Sequence, residues 1–280
     1  MFQASLLALV LSSGTLVGPY RVAQAEPRHH QVSMRAAMAA DGRFAIAWVD
    51  SLQFPDHFEV DTYIRFFNKD GSPMTDPYKV KKIKNSSIIR GPTLEMDTLG
   101  NTILLWEDDI GEPPDYTFDV RFQCFKPDGT PIDTAKILYS KPGVAVPGFA
   151  GPGQFVRPIS LSNRGEFVFV TSVASYFYPL GTGVWVQRFN LDGEPLDTAF
   201  LAHENLDDFL PQDTVIFVSP CAALNDAGDV VVTWLQSFFS PPHDLYPRFQ
   251  VFDRNDKPIL PWEPKGYRID DGDTQAHACR

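Results

Sequence analysis

Two short turn segments recur along the chain at one shared interval, and this rhythm restricts the fold more than any other feature. The first series is FFNKDGSPM (66–74), CFKPDGTPI (124–132), RFNLDGEPL (188–196) and VFDRNDKPI (251–259). Phe67, Phe125, Phe189 and Phe252 each stand four residues before the turn position, and Pro73, Pro131, Pro195 and Pro258 two after it. The turn position holds Gly71, Gly129, Gly193 and Asp256, spaced 58, 64 and 63 residues apart. The second series is AADGRFAIAWVD (39–50), DTLGNTILLWED (97–108), SNRGEFVFVTSV (162–173) and NDAGDVVVTWLQ (225–236), with glycines spaced 58, 65 and 63 residues apart. Two independent markers keeping one period describe a single supersecondary unit present four times.

Each copy reads as four short strands. Before the first glycine, apolar residues alternate (Ala36 and Met38, Leu94 and Met96, Ile159 and Leu161, Ala222 and Leu224). After it comes a run apolar on both faces, as with Phe44, Ile46 and Trp48 on one side and Ala45 and Ala47 on the other. Such a strand must be covered on both faces. The third strand ends at the recurring Phe, a Gly-type turn supplies the positive φ of a tight hairpin, and a fourth strand follows with Pro at its head, suited to a sheet edge. The expected fold class is all-β and β-propeller-like, built of four-stranded antiparallel blades, with four full repeats and partial repeats at both ends. Tandem β-sandwiches fit less well, because a lone unit of about 60 residues leaves much of its apolar surface wet.

With 280 residues, 44% hydrophobic and 21% charged, the chain has an ordinary globular composition. A formal net charge of −11 argues against nucleic acid and anionic membrane as partners. No apolar run beyond residue 20 approaches membrane-spanning length. Cys124, Cys221 and Cys279 form no CxxC pair and read as small apolar residues.

The segments DGRFAIAW, YIRFFNKDGSP and GVWVQRFNLDGEPL resemble the propeller-type repeats of large secreted bacterial proteins, which carry DGxfvvvW followed by vyaqrFdxdGxpl. The resemblance covers residues 32–262 and departs at Thr171, where the other copies have Trp, and at Asp256, where they have Gly. It implies an extracellular or periplasmic setting and supplies no catalytic residues.

Repeats are expected near 32–80, 92–139, 158–202 and 221–262, within one domain spanning 26–280. Residues 1–25 admit two readings. SGTLVGPYRV aligns with DGSPMTDPYKV, so that Pro19-Tyr20-Arg21-Val22 falls beside Pro77-Tyr78-Lys79-Val80 and residues 4–22 form the last two strands of a partial unit. Alternatively LLALVL and AQA are the apolar core and cleavage site of a signal peptide, although no Lys or Arg precedes the apolar segment. A further partial repeat is expected at 272–280.

Function is sought on the long loops between second and third strands, 51–60, 108–118, 174–183 and 237–247. Phe54, His57, Tyr116, Tyr176, Tyr178, Phe239, His243 and Tyr246 are the candidate ligand-binding residues, a stacking platform for a glycan or an extended peptide. The competing reading is that these aromatics only order the loops. EDD (107–109) with Glu112 and Asp115, and DDGD (270–273), could hold calcium but lack the spacing of a dedicated loop; no other cofactor is expected. His57 and His243 are weak metal candidates. The basic run 78–90 reads as a guarded sheet edge. GxSxG, HExxH and phosphate-loop signatures are absent from the sequence. The leading functional expectation is a non-catalytic binding module. The alternatives are a polysaccharide-active enzyme with carboxylates at a channel mouth, or a structural segment of a larger surface protein.

Overall fold

The computed structural model describes residues 22–23, 29–55, 58–86, 91–109, 118–141, 158–173, 183–203, 215–238, 245–261 and 266–269. The fold is all-β: every repeat forms one four-stranded antiparallel sheet with its strands side by side in chain order, the topology of a propeller blade. Blade 1 holds β1 (His29–Met38), β2 (Phe44–Gln53), β3 (Phe58–Phe67) and β4 (Tyr78–Ser86). Blade 2 holds β5 (Thr93–Met96), β6 (Thr102–Asp109), β7 (Phe118–Phe125) and β8 (Lys136–Lys141). Blade 3 holds β9 (Ile159–Leu161), β10 (Glu166–Val173), β11 (Gly183–Asn190) and β12 (Phe200–Leu201). Blade 4 holds β13 (Val215–Leu224), β14 (Val230–Phe238), β15 (Leu245–Phe252) and β16 (Tyr267–Arg268). The chain divides into two compact units, one with blades 1 and 2 and one with blades 3 and 4. The partial repeats expected at 4–21 and 272–280 lie outside the described residues.

The turns repeat bond for bond. The residue after each recurring Phe donates its N–H across the turn, Asn68 to Ser72 O, Lys126 to Thr130 O, Asn190 to Glu194 O and Asp253 to Lys257 O. Each Phe also bridges its Pro, Phe67 to Pro73 and likewise in the other three blades. The prolines therefore sit in isolated bridges, and the fourth strand starts several residues later, at Tyr78 in blade 1. This corrects the expectation of a proline at the strand head. The long loop of blade 1 is shorter than expected, because the strand alternation runs on into it, whereas in blade 3 the strands stop at Val173 and resume at Gly183, at the expected loop bounds. In blade 1 pairing continues to Gln53 opposite Phe58, leaving only residues 54–57 as the connection.

Within each unit two blades stack through the faces that the pattern marked as apolar. Ala45, Ala47, Ile64 and Phe66 of blade 1 meet Leu94, Leu104, Trp106 and Phe125 of blade 2. Val168, Val170, Val184 and Val186 of blade 3 meet Val230, Val232, Trp234 and Phe252 of blade 4 in the same roles. At roughly 1.5–3 kcal/mol for each large side chain fully removed from water, these interfaces supply most of what holds a blade in place.

Both departures from the repeat have structural answers. Thr171 stands directly opposite Trp185, so the missing indole returns on the neighbouring strand. In blade 2, the Cβ of any other residue at Gly129 would come within 2.8 Å of Phe66 of blade 1, so the turn needs glycine for space as well as for its φ of 83°. In blade 4 the same turn carries Asp256 at a φ of 60°, and the blade 3 residue matching Phe66 is Arg188. Arg188 donates to the Asp256 carboxylate at 2.6 Å, to Gly228 O at 2.7 Å and to Asp253 O at 2.9 Å. An ion pair here replaces an aromatic ring packed over glycine.

A double-mutant cycle with Arg188→Ala and Asp256→Gly should show a coupling of about 1–3 kcal/mol in urea unfolding, because each single change strands the other partner. Additive effects would refute the pairing as a stabilising contact.

The turn aspartates Asp70, Asp128 and Asp253 are held below their ordinary pKa of 3.8 by hydrogen bonds, from Ser72, Thr130 and Lys257 respectively in first place. Their contribution is present above the unfolded value and is lost as pH falls through the lower folded one. Asp256 behaves oppositely: burial pushes its carboxyl up against the pull of Arg188, so its protonation favours the folded state. Stability should thus fall below pH 3.8, and fall less steeply in Asp70→Ala/Asp128→Ala, as read by urea unfolding from about pH 6 to about pH 3.

Candidate functional site

Strand alternation puts one set of blade 1 side chains against blade 2 and the other set on the opposite face, where a cleft of about 500 Å³ opens. Its lining follows the register. His29 is opposite Leu52 and Leu52 opposite Glu59; Gln31 is opposite Asp50 and Asp50 opposite Asp61; Trp48 is opposite Tyr63 and Tyr63 opposite Lys79. One face of the sheet thereby gathers residues from four strands that are far apart in sequence.

The aromatic pair forms one patch of the lining. The rings of Trp48 and Tyr63 stack with centroids 5.5 Å apart and planes 10° from parallel. Trp48 is buried and Tyr63 half-buried. Lys79 lies over the Tyr63 ring at 5.5 Å and donates to Asp61 at 2.5 Å. His29 Nδ1 is 2.8 Å from the Asp50 carboxylate. Asp50 and Asp61 are like charges directly opposite each other, an unfavourable arrangement unless each is compensated; Asp61 has the Lys79 ammonium and Asp50 has the His29 ring as its hydrogen-bond partner. Among the described residues, Asp61 Oδ1 and the indole N–H of Trp48 have no hydrogen-bond partner. Burial raises the Tyr63 hydroxyl above its usual pKa of 10.0, the Asp61 charge adds to this, and Lys79 works against it. For Lys79 burial pulls downward, but the hydrogen bond and charge of Asp61 outweigh it and the pKa rises.

Some corresponding positions in blades 2 and 4 are more deeply buried. In blade 2, Asp119 matches Asp61, is only 2% exposed and is tied to Arg121 at 2.9 Å. In blade 4, Trp234 is opposite Arg248 and the fully buried Gln236 is opposite Tyr246.

No protein-family model matches the chain, and no curated protein is similar to it. Solved structures do align with it. One is an α-L-arabinanase of Penicillium chrysogenum complexed with arabinobiose, 13% identical, covering 89% of this chain and 69% of its own, with a TM-score of 0.48. Another is a protein of unknown function from Dyadobacter fermentans, 11% identical, covering 86% and 71%, with a TM-score of 0.46. A third is an α-L-arabinofuranosidase of Fusarium graminearum with arabinobiose, 11% identical, covering 87% and 70%, with a TM-score of 0.44.

Of the aromatic loop residues expected to bind ligand, only Phe54 and Tyr246 are described. Phe54 is half-buried just beyond β2. Tyr246 is a correction: it lies within β15 rather than on a loop, with the Arg268 guanidinium 4.5 Å from its ring centre. His57, Tyr116, Tyr176, Tyr178, Phe239 and His243 lie outside the described residues. So do Glu112, Asp115 and the acidic run 270–273 proposed for calcium; among the described residues no group of three or more His, Cys, Asp or Glu could hold a metal ion. Cys124 and Cys221 are free thiols. The basic run does occupy an edge strand, β4, but Lys79 turns inward to the cleft instead of guarding the edge. Sequence reasoning missed His29, Asp50, Asp61, Tyr63 and Lys79. The available signal was the presence of ionisable residues at strand positions matching the buried Gln236 and the buried Asp119–Arg121 pair.

Removing the Asp61 charge should lower the Tyr63 titration midpoint, and removing the Lys79 charge should raise it. Ultraviolet titration of Asp61→Asn and Lys79→Met, each differenced against its Tyr63→Phe counterpart, reads both shifts; equal midpoints would mean the three groups are not coupled.

Proposed function

We propose that the protein binds glycan chains in the blade 1 cleft, in an extracellular or periplasmic setting. The observation carrying this is the half-buried Tyr63 ring, backed by the buried Trp48, in one cleft with the carboxylates of Asp50, Glu59 and Asp61. A pyranose or furanose ring has an apolar C–H face and a rim of hydroxyls. The first suits an aromatic surface, and the second donates to carboxylates and accepts from Lys79 or Gln31. The arabinan-directed activity and arabinobiose ligands named for the aligned structures belong to the same ligand class, and the reading here rests on the cleft itself.

Calorimetric titration with a panel of neutral and acidic oligosaccharides tests it. Tyr63→Ala and Asp61→Asn should each weaken the best ligand by about 10- to 100-fold while leaving the melting temperature within a few degrees. Absence of binding across the panel, or binding indifferent to both changes, would refute it.

One observation bears on a catalytic version: Asp50 and Asp61 are directly opposite in register and line one cleft, so two carboxyls share a site, as glycoside hydrolysis requires. On this version release of reducing ends from the bound polysaccharide disappears in Asp50→Asn while binding persists. Binding without any cleavage leaves the non-catalytic module.

A further inference from the structure

The cleft occupies only part of its face. The rest is apolar, with Phe44 and Phe67 stacked 4.9 Å apart beside Trp48, and the two described residues that precede the blade, Val22 and Ala23, are seated on it. Val22 is only 9% exposed and clusters with Trp48 and Phe67, and its carbonyl accepts from Arg65 Nη1 at 2.8 Å. The same arrangement recurs one repeat later. Between blades 1 and 2, Val80 packs into the cluster of Trp106 and Phe125. Val22, Trp48 and Phe67 are each displaced by 58 residues from Val80, Trp106 and Phe125, which is the spacing of the first two repeats. The sequence around them keeps step, Pro19-Tyr20-Arg21-Val22 against Pro77-Tyr78-Lys79-Val80.

We propose that the apolar half of this face is the docking surface for residues 4–22 of the same chain, acting as the last two strands of a preceding repeat. The occupant is fixed by the repeat itself. A valine on an edge strand of one blade fills the space beside the Trp and Phe of the next, and Val22 already does so. Arg65 strengthens the join. Its counterparts Gln123 and Gln187 donate only to carbonyls within their own blades, Gln123 to Asp133 O and Gln187 to Asp197 O and Arg188 O. Arg65 makes the matching bond to Thr75 O at 2.9 Å and has a second arm for Val22. Ala23, next along the chain, contributes to the lining of the cleft. This inference stands without the glycan reading, since its test involves no ligand.

Hydrogen exchange read by mass spectrometry on the full chain tests the proposal. Amides of residues 20–22 should exchange at least about 100-fold more slowly than unstructured chain, in step with those expected for 78–80. Val22→Asp should remove that protection and open Trp48 to a soluble quencher, with Trp48→Phe as the background. Should Val22→Asp fail to fold, Val22→Ala should show a smaller loss of protection at the same amides. Exchange of 1–22 at the unstructured rate overturns the proposal. So does protection that vanishes on dilution, which would make a second copy the occupant, or an exported mature chain beginning at Glu26, which would make the segment a leader.

Discussion

The structure depends on strands that are apolar on both sides. Ala45, Ala47 and Ile64 are fully buried on one face of blade 1, while Trp48 and Phe67 are buried on the other. A four-stranded sheet of this kind cannot satisfy itself, because whichever face it turns inward leaves the other in water. It becomes stable only between neighbours. The repeat is the consequence: a sequence that codes for a two-faced sheet must also code for the next one. The tight turns serve the same end, since Arg43 of the first blade 1 turn donates to Leu99 O and Pro127 O in two turns of blade 2.

This dependence explains where the repeat is strict and where it drifts. Turn geometry hardly varies, because the same backbone hydrogen bonds close every turn whichever residues stand there. Side chains that meet across an interface vary in pairs. Phe66 over Gly129 and Arg188 with Asp256 are two fillings of one slot, the first by ring packing against a residue without Cβ and the second by a buried ion pair. Burying Arg188, with a side chain 5% exposed, is tolerable because its guanidinium meets a carboxylate and two carbonyls. Thr171 and Trp185 show the same exchange within a blade, one indole traded between opposed positions.

Strand count, order and pairing were legible because they rest on local signals: glycine turns, alternation, and the Phe that closes each third strand. The length of the blade 1 loop was not. Ser51-Leu52-Gln53 and Phe58-Glu59-Val60 look like loop beside the Pro of 51–60, yet the pairing extends through both, since β2 and β3 share a long ladder whose propagation costs less than breaking it early. The site was illegible for a related reason. Asp50 and Asp61 flank what reads as a loop, and nothing local says that they stand across from one another on a sheet face. That follows only once the register is known, because a slip of one residue would send both to the other side.

Composition then distinguishes the blade 1 face from its counterparts. A face sealed by a neighbouring blade must either avoid ionisable groups or pair every one, as blade 2 does with Asp119 and Arg121. The blade 1 cleft instead gathers His29, Asp50, Glu59, Asp61 and Lys79, and the paired side chains remain between 13% and 43% exposed. Fully dehydrating so many charges would cost more than their mutual attraction returns. Beside them Phe44, Trp48 and Phe67 make a surface that water cannot satisfy. Half of the face therefore calls for apolar cover and half for solvent or a polar ligand. Val22 seated over Trp48 and Phe67 with an open cleft beside it meets both demands, and a complete blade laid across the whole face would meet only the first.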